Sequence, residues 1–306
     1  VKSFSLAVAT ILFAPLVRAA TLQLTPVADT TLSQNFPSNN FGAMPFANAG
    51  TTQNNTKNRA LFRFDFSAIP MGSRIDAASL KLEVVSVPNE PPTPADMSLH
   101  RLLVSWGEGN KTNAPGGGAG KGSPATAGEA TWQYRFAATN AWASPGGATT
   151  NDFSARASAA NTIYGVSDYY FPPAPPATTP ALVADVQFWL TQPAQNFGWL
   201  LLCDNEQDTF TARRYGTRED AVNTPLLTVT YTPAPRLQLT PAASNQFQFT
   251  FAAEAGRAYV VESRASFAAT NAWLPLTNFS APPADTNLTV TLAPAAAQKF
   301  FRVTTP

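Results

Sequence analysis

Arg59-Ala-Leu-Phe-Arg-Phe-Asp-Phe66 decides the fold class of this chain. Phe62, Phe64 and Phe66 recur at every second position and share one face of an extended segment, while Arg63 and Asp65 share the other. A period of two marks a half-buried β-strand, because successive strand side chains point to opposite faces. Ile69-Pro-Met-Gly72 ends the strand in a turn. Ser79-Leu-Lys-Leu-Glu-Val84 resumes the alternation, with Leu80, Leu82 and Val84 inward and Lys81 and Glu83 outward.

The same reading extends in both directions. Gly198-Trp-Leu-Leu-Leu202 is a buried strand, and Pro225-Leu-Leu-Thr-Val-Thr-Tyr231 closes a first β-domain over 20–232. Thr232-Pro-Ala-Pro235 begins a proline-rich linker, 233–236. Gln246-Phe-Gln-Phe-Thr-Phe251, Arg257-Ala-Tyr-Val-Val-Glu262, Asn287-Leu-Thr-Val-Thr-Leu292 and Lys299-Phe-Phe-Arg-Val303 make a small β-sandwich over 237–306. The expected fold class is all-β: a large jelly-roll-like antiparallel β-sandwich followed by a small one. Residues 180–190 fit either a short amphipathic helix (Val183, Val186, Leu190) or a strand (Val186, Phe188), and the strand-rich surroundings favour the strand. Gly107 to Gly128, with GGGAGKG at its centre, reads as a pliable insertion. Phe136-Ala-Ala-Thr-Asn-Ala-Trp142 recurs identically as Phe267-Ala-Ala-Thr-Asn-Ala-Trp273 in unrelated surroundings, which fits either a shared turn burying a terminal Trp or coincidence.

Residues 1–19 have a lysine, an apolar run from Leu6 to Val17 and small residues at the end, the layout of a secretory signal peptide. The expectation is therefore a secreted or cell-surface protein. The remaining residues carry 18 basic and 19 acidic side chains, which argues against nucleic acid or an anionic membrane as a partner. No membrane span or anchor is expected. Cys203 is the one cysteine, so burial must hold the fold together, and Cys203 itself reads as buried and inert.

In order, Ala28-Asp-Thr-Thr-Leu32, Asn39-Asn-Phe-Gly42, Arg59–Phe66, Ile75-Asp-Ala-Ala-Ser-Leu-Lys-Leu82, Trp106-Gly-Glu-Gly109, Ala130-Thr-Trp132, Asn196-Phe-Gly-Trp-Leu-Leu201, Thr217-Arg-Glu219 and Thr224–Tyr231 resemble the DNRLRE family of exported β-domains. That family overlaps alginate-type carbohydrate-binding modules. The resemblance covers about Thr21 to Tyr231. It departs from the family in the expanded glycine-rich loop and in the Thr before the arginine–glutamate pair. The C-terminal part resembles small fibronectin-like modules, most clearly at Lys299-Phe-Phe-Arg-Val303. The resemblance implies a jelly-roll-like sandwich and, for some members, an acidic polysaccharide ligand.

The chemistry-bearing residues point away from catalysis. His100 is the single histidine, so no histidine or cysteine cluster can hold a redox metal or zinc. GGGAGKG lacks the Ser or Thr that a P-loop needs after its lysine, and it lacks a βαβ context. Sugar binding calls for exposed rings and planar donors. The candidates are Trp106, Trp132, Trp142, Tyr164, Tyr169 and Tyr170 as stacking rings, with Tyr169-Tyr170 the better exposed pair, and Arg213, Arg214 and Arg218 as donors to a uronate carboxylate. Trp189 and Trp199 read as core. Arg218 beside Glu219 also fits a structural ion pair. No cofactor is required. Asp204, Glu206 and Asp208 would be the ligands of a structural calcium, or else a solvated acidic hairpin, since the spacing is not that of the twelve-residue calcium loop. The expected function is non-catalytic binding of a polysaccharide or cell-surface glycan. The alternative is a structural or adhesive envelope protein with a protein partner. A lyase or glycoside hydrolase fits less well, because a hydrolase needs two carboxylates across a sugar.

Overall fold

The structure, a computed structural model, describes residues 18–88, 92–115, 120–175, 177–241, 246–268, 272–293 and 299–305. The signal-peptide reading of 1–19 therefore falls almost entirely outside the described residues, as does the GGGA stretch 116–119. The chain divides into two compact units, one of Ala20–Ile69 with Arg74–Tyr231, the other of Pro70–Ser73 with the residues from Thr232 onward.

The large unit contains β1 (Ala20–Leu24), β2 (Pro26–Ser33), β3 (Asn39–Asn40), β4 (Phe46–Thr51), β5 (Lys57–Phe64), β6 (Arg74–Ser86), β7 (Ala95–Leu102), β8 (Ser123–Pro124), β9 (Tyr134–Phe136), β10 (Asn140–Ala141), β11 (Phe153–Ile163), β12 (Ser167–Phe171), α1 (Pro180–Thr191), β13 (Trp199–Cys203), β14 (Arg213–Gly216) and β15 (Leu226–Thr232). Its main sheet runs β1-β15-β6-β14-β4-β5-β13-β7-β11, with β12 also on β6 and β2 also on β5. Strand β4 pairs with β14 over Phe46–Ala49 and with β5 at Gly50 and Thr51, so the sheet turns there and its two halves enclose a common core. The result is an all-β, jelly-roll-like sandwich.

Phe62, Phe64, Leu80, Leu82 and Val84 are buried in that core, as the alternation requires. The opposite face of β5 is covered as well. Leu61 lies in a second apolar cluster with Leu32, Trp106, Trp132, Trp142, Phe153 and Leu200. The segment after β7 folds back over the outside of the sheet, and its three tryptophans form the seal. The outer face of β5 is thus buried at Leu61 and half-buried at Arg59 and Arg63.

Residues 180–190 form a helix, not a strand. Thr179 caps α1, its Oγ1 accepting from Leu182 N at 3.0 Å, and Pro180 occupies the first turn. The buried positions Leu182, Asp185, Val186, Trp189 and Leu190 trace one helical face. Asp185 ties that face to the sheet, accepting from Trp199 Nε1 at 2.9 Å and from Ser158 Oγ at 2.5 Å. The Thr-Pro start was the sequence signal that outweighs the neighbouring strands.

The glycine-rich insertion is anchored at both described ends. Gly107 N donates to Arg135 O and Ala130 N to Gly107 O. Asn113 Oδ1 accepts from three consecutive N–H groups, those of Gly120, Lys121 and Gly122, at 3.1, 3.0 and 3.1 Å. These converging donors would suit an anion, but the chain's own amide oxygen fills the place. The first copy of the repeated heptapeptide spans the β9–β10 hairpin and buries Trp142, whose Nε1 donates to Thr131 O. The second copy includes residues 269–271, outside the described residues.

The C-terminal unit contains β16 (Gln238–Pro241), β17 (Phe247–Ala253), β18 (Tyr259–Arg264), β19 (Leu274–Phe279), β20 (Thr286–Leu292) and β21 (Phe300–Thr304). Two three-stranded sheets, β16-β17-β20 and β19-β18-β21, share a core of Phe251, Tyr259, Val261, Val290 and Val303. It is a small β-sandwich.

Candidate functional site

Strand β14 separates two neighbouring arginines by its period of two. Arg213 and Tyr215 point inward and are buried, while Arg214 is half-buried on the outer face. Arg213 is 1% exposed. Its five N–H donors meet five backbone carbonyls: Nε to Tyr164 O at 2.8 Å, Nη1 to Phe210 O and Ala212 O, and Nη2 to Thr93 O and Ile163 O. A guanidinium has five N–H groups, so none is left to offer a ligand. Arg213 is a structural tie between loops.

Arg214 stands at the centre of a polar row. It lies opposite Asn48 of β4 on one side and Ser86 of β6 on the other. Two residues before Asn48, Phe46 places its ring under the guanidinium, 4.3 Å from ring centre to Cζ. Burial pushes the Arg214 pKa below its ordinary value. Arg214, Asn48 and Ser86 line an open cleft of about 420 Å³, together with Asn58, Ser33 and the hairpin turn at Thr52 to Asn54. That turn is held by Thr52 N to Thr56 O at 2.9 Å and by the Thr52–Thr56 hydroxyl pair at 2.7 Å. No acidic side chain is among the described residues lining the cleft. Amides and hydroxyls offer donors and acceptors for sugar hydroxyls, and the guanidinium offers a planar fork for a carboxylate.

The other expected ring and donor residues are engaged elsewhere. Trp106 is buried, donating from Nε1 to Phe197 O at 2.8 Å beneath Arg63. Trp132 is buried beneath Arg59. Neither is a surface platform, because both seal the outer face of the sheet. Tyr169 and Tyr170 lie on β12 against β6, half-buried rather than exposed. The Tyr169 hydroxyl accepts from Tyr164 N and donates to Gly165 O, fixing the preceding turn. The ring exposed there is Tyr164.

Arg218 grips Glu108 with both arms, Nε to Oε1 at 2.7 Å and Nη2 to Oε2 at 3.1 Å, and lies 3.1 Å from Glu219. Its backbone N–H donates to Asp29 Oδ2, and Asp29 N donates to Glu108 Oε1. Asn40 Nδ2 reaches Glu108 O and Ala130 O. Asp29, Asn40, Glu108, Ala130 and Arg218, far apart in sequence, thus meet in one knot. Gly42 must be glycine there, since a Cβ would stand 2.3 Å from Glu108 O. Burial first, then the charges of Glu219 and Glu108, push the Asp29 carboxyl up to about 8 against the Arg218 N–H bond.

Asp204, Glu206 and Asp208 have separate partners. Asp204 accepts from Ser98 Oγ at 2.5 Å and Asp208 from Asn205 Nδ2 at 3.0 Å. Burial pushes the Glu206 carboxyl up, but two hydrogen bonds from Arg59 and the Lys57 charge outweigh it and hold the group below its ordinary value. Among the described residues, no group of three or more His, Cys, Asp or Glu side chains is placed to hold a metal ion. Ser98 also bonds His100 Nε2 at 2.8 Å, while His100 Nδ1 faces Ser154 O. The hydroxyl stands between acid and imidazole, an order different from that of a nucleophile activated by an acid-oriented base. Cys203 is buried, and burial pushes its thiol up. No helix among the described residues is long and apolar enough to cross a membrane.

The sequence pattern named Arg214 as a candidate but not its neighbours Phe46, Asn48, Asn58 and Ser86. The available signal was the density of asparagine between residues 35 and 58. No protein-family model matches the chain, and no curated protein matches its sequence.

Proposed function

We propose that this is a secreted, non-catalytic carbohydrate-binding protein that holds an acidic, uronate-containing polysaccharide in the Arg214 cleft. The observation that carries the proposal is the Ser86–Arg214–Asn48 row: one cation braced on Phe46, flanked by amides and hydroxyls, in a cleft lined by no acidic side chain among the described residues. An anionic sugar meets attraction and hydrogen bonds there, with no like charge to repel it. No cofactor is needed for this. The motif resemblance to exported polysaccharide-binding β-domains supports the same ligand class. Retention on neutral, sulfated and uronate-containing polysaccharides, with the same wells assayed for depolymerisation, tests it. Binding without cleavage, strongest on uronates and weakened by Arg214→Ala, is the expected result. Cleavage of any of them would replace the binding role with an enzymatic one.

A structural envelope role with a protein partner is the second reading. It is favoured by the exposed leucines Leu239, Leu274 and Leu276 of the C-terminal unit. Self-association that disappears on replacing Leu274 and Leu276 with serine, in a chain that ignores glycans, would support it.

A further inference from the structure

The C-terminal unit carries its own arginine–aromatic array. On neighbouring strands β18 and β21, Glu262 faces Arg302 and Arg264 faces Phe300. Arg302 is paired with Glu262 at 2.6 Å. The Arg264 side chain has no hydrogen bond or ion pair with any described residue, and its Nε is buried without an acceptor. Its guanidinium lies instead 4.2 Å from the Phe267 ring centre and 4.8 Å from that of Trp273. The two rings form a notch, 6.5 Å apart and inclined at 78°. Phe300 extends the array 4.2 Å from Phe267, and Arg302 covers Trp273 at 4.4 Å. Phe267 is 63% exposed.

Ring faces hold a guanidinium by their quadrupole but leave its in-plane N–H donors unanswered. Arg264 is therefore oriented in advance and has no anionic partner among the described residues. The Phe267 ring it lies over is itself largely exposed. A carboxylate receptor about one ring-width from a stacking surface matches a single uronate sugar, which carries its carboxylate on the ring it would stack. An acidic peptide brings the carboxylate on a flexible stem and has no face to lay on Phe267.

We propose that Arg264, Phe267 and Trp273 form a second sugar site, taking one uronate residue of an acidic polysaccharide with the carboxylate on Arg264 and the sugar ring on Phe267. It stands independently of the Arg214 cleft. Two sites on one chain would raise retention on a polymer beyond that of either alone.

Calorimetric titration of the full chain with a galacturonate oligosaccharide separates the two sites. In an Arg214→Ala background binding persists, and adding Arg264→Gln weakens it roughly ten- to a hundred-fold, the scale of a charge-assisted hydrogen bond. Phe267→Ser weakens it as well without moving the melting temperature, because the ring lies outside the core. Loss of all binding in Arg214→Ala alone, or residual binding indifferent to both Arg264→Gln and Phe267→Ser, overturns the second site and leaves the cleft standing. Binding unaffected by Arg214→Ala but abolished by Arg264→Gln overturns the cleft instead. Poly-glutamate binding as tightly as the oligosaccharide would overturn the sugar assignment.

Discussion

Replacing Arg213 with Met separates the structural arginine from its binding neighbour. Met keeps much of the side-chain length and apolar stem but removes every donor. The carbonyls of Thr93, Ile163, Tyr164, Phe210 and Ala212 lose their partners together. Hydrogen bonds to a charged group contribute about 1.5–3 kcal/mol each, but they are not additive and some of these carbonyls will recover water. Counting about two as stranded gives a loss on the order of 3–5 kcal/mol, the cost of removing one partner from a buried charged contact. For a unit of this size that lowers the melting temperature by roughly 6–20 °C, at about 2–4 °C per kcal/mol. Five of the six tryptophans lie in the large unit, so fluorescence during thermal or urea unfolding follows that unit. Arg213→Met should lower its transition sharply while the folded fraction still binds uronates. A transition within about 2 °C of the parent, accompanied by loss of binding, would refute the structural assignment and restore Arg213 as a ligand residue.

Arg214→Ala should do the opposite, with a stability loss of about 1 kcal/mol or less for a half-buried cation–ring contact and a clear loss of uronate affinity in the same preparation. Trp106→Ala should destabilise the large unit by about 3–5 kcal/mol, as expected for a large core ring, and leave the affinity of the folded fraction unchanged by titration below the melting range. Gly42→Ala should cost about 2 kcal/mol or more through overpacking against the Glu108 carbonyl, read as a shift in the urea midpoint at unchanged slope. Asp29 has a folded pKa raised to about 8 from an ordinary 3.8. Its stability contribution is complete below about pH 4 and is lost as pH rises towards 8, because the unfolded chain gives up that proton first. The near-isosteric Asp29→Asn should therefore flatten the fall in urea midpoint between pH 5 and pH 8. An equally steep fall in the variant would refute this.

Much of the architecture is legible in the chain because burial on a sheet leaves a period of two. Phe62 and Phe64 of β5, and Leu80, Leu82 and Val84 of β6, could be placed inward without coordinates. The same rule applied to β14 would have parted Arg213 from Arg214, since Arg213 shares its face with Tyr215 and Arg214 does not. The tryptophans were harder to place. Whether a loop such as the one carrying Trp106, Trp132 and Trp142 lies over a sheet or in solvent depends on long-range contacts with Leu61 and Leu200, which local pattern does not encode. Helix α1 was obscured because an amphipathic segment of 12 residues offers strand-like pairs as well as helical ones. Phe46 beneath Arg214, and Asn48, Asn58 and Ser86 in the cleft, come from three separate stretches, β4, β5 and β6, brought beside Arg214 by strand pairing with one another and with β14. Nothing short of the register reveals that neighbourhood.

The central claim is that an acidic glycan sits on the Ser86–Arg214–Asn48 row. Nuclear magnetic resonance of the isotopically labelled full chain, titrated with a galacturonate oligosaccharide, tests it directly. The account predicts saturable shifts of the Arg214 side-chain Nε–H, the Asn48 and Asn58 amide groups and the Ser86 backbone, while the Arg213 Nε–H stays still. Signals of Arg214, Asn48 and Ser86 that do not move while the oligosaccharide binds elsewhere would contradict it.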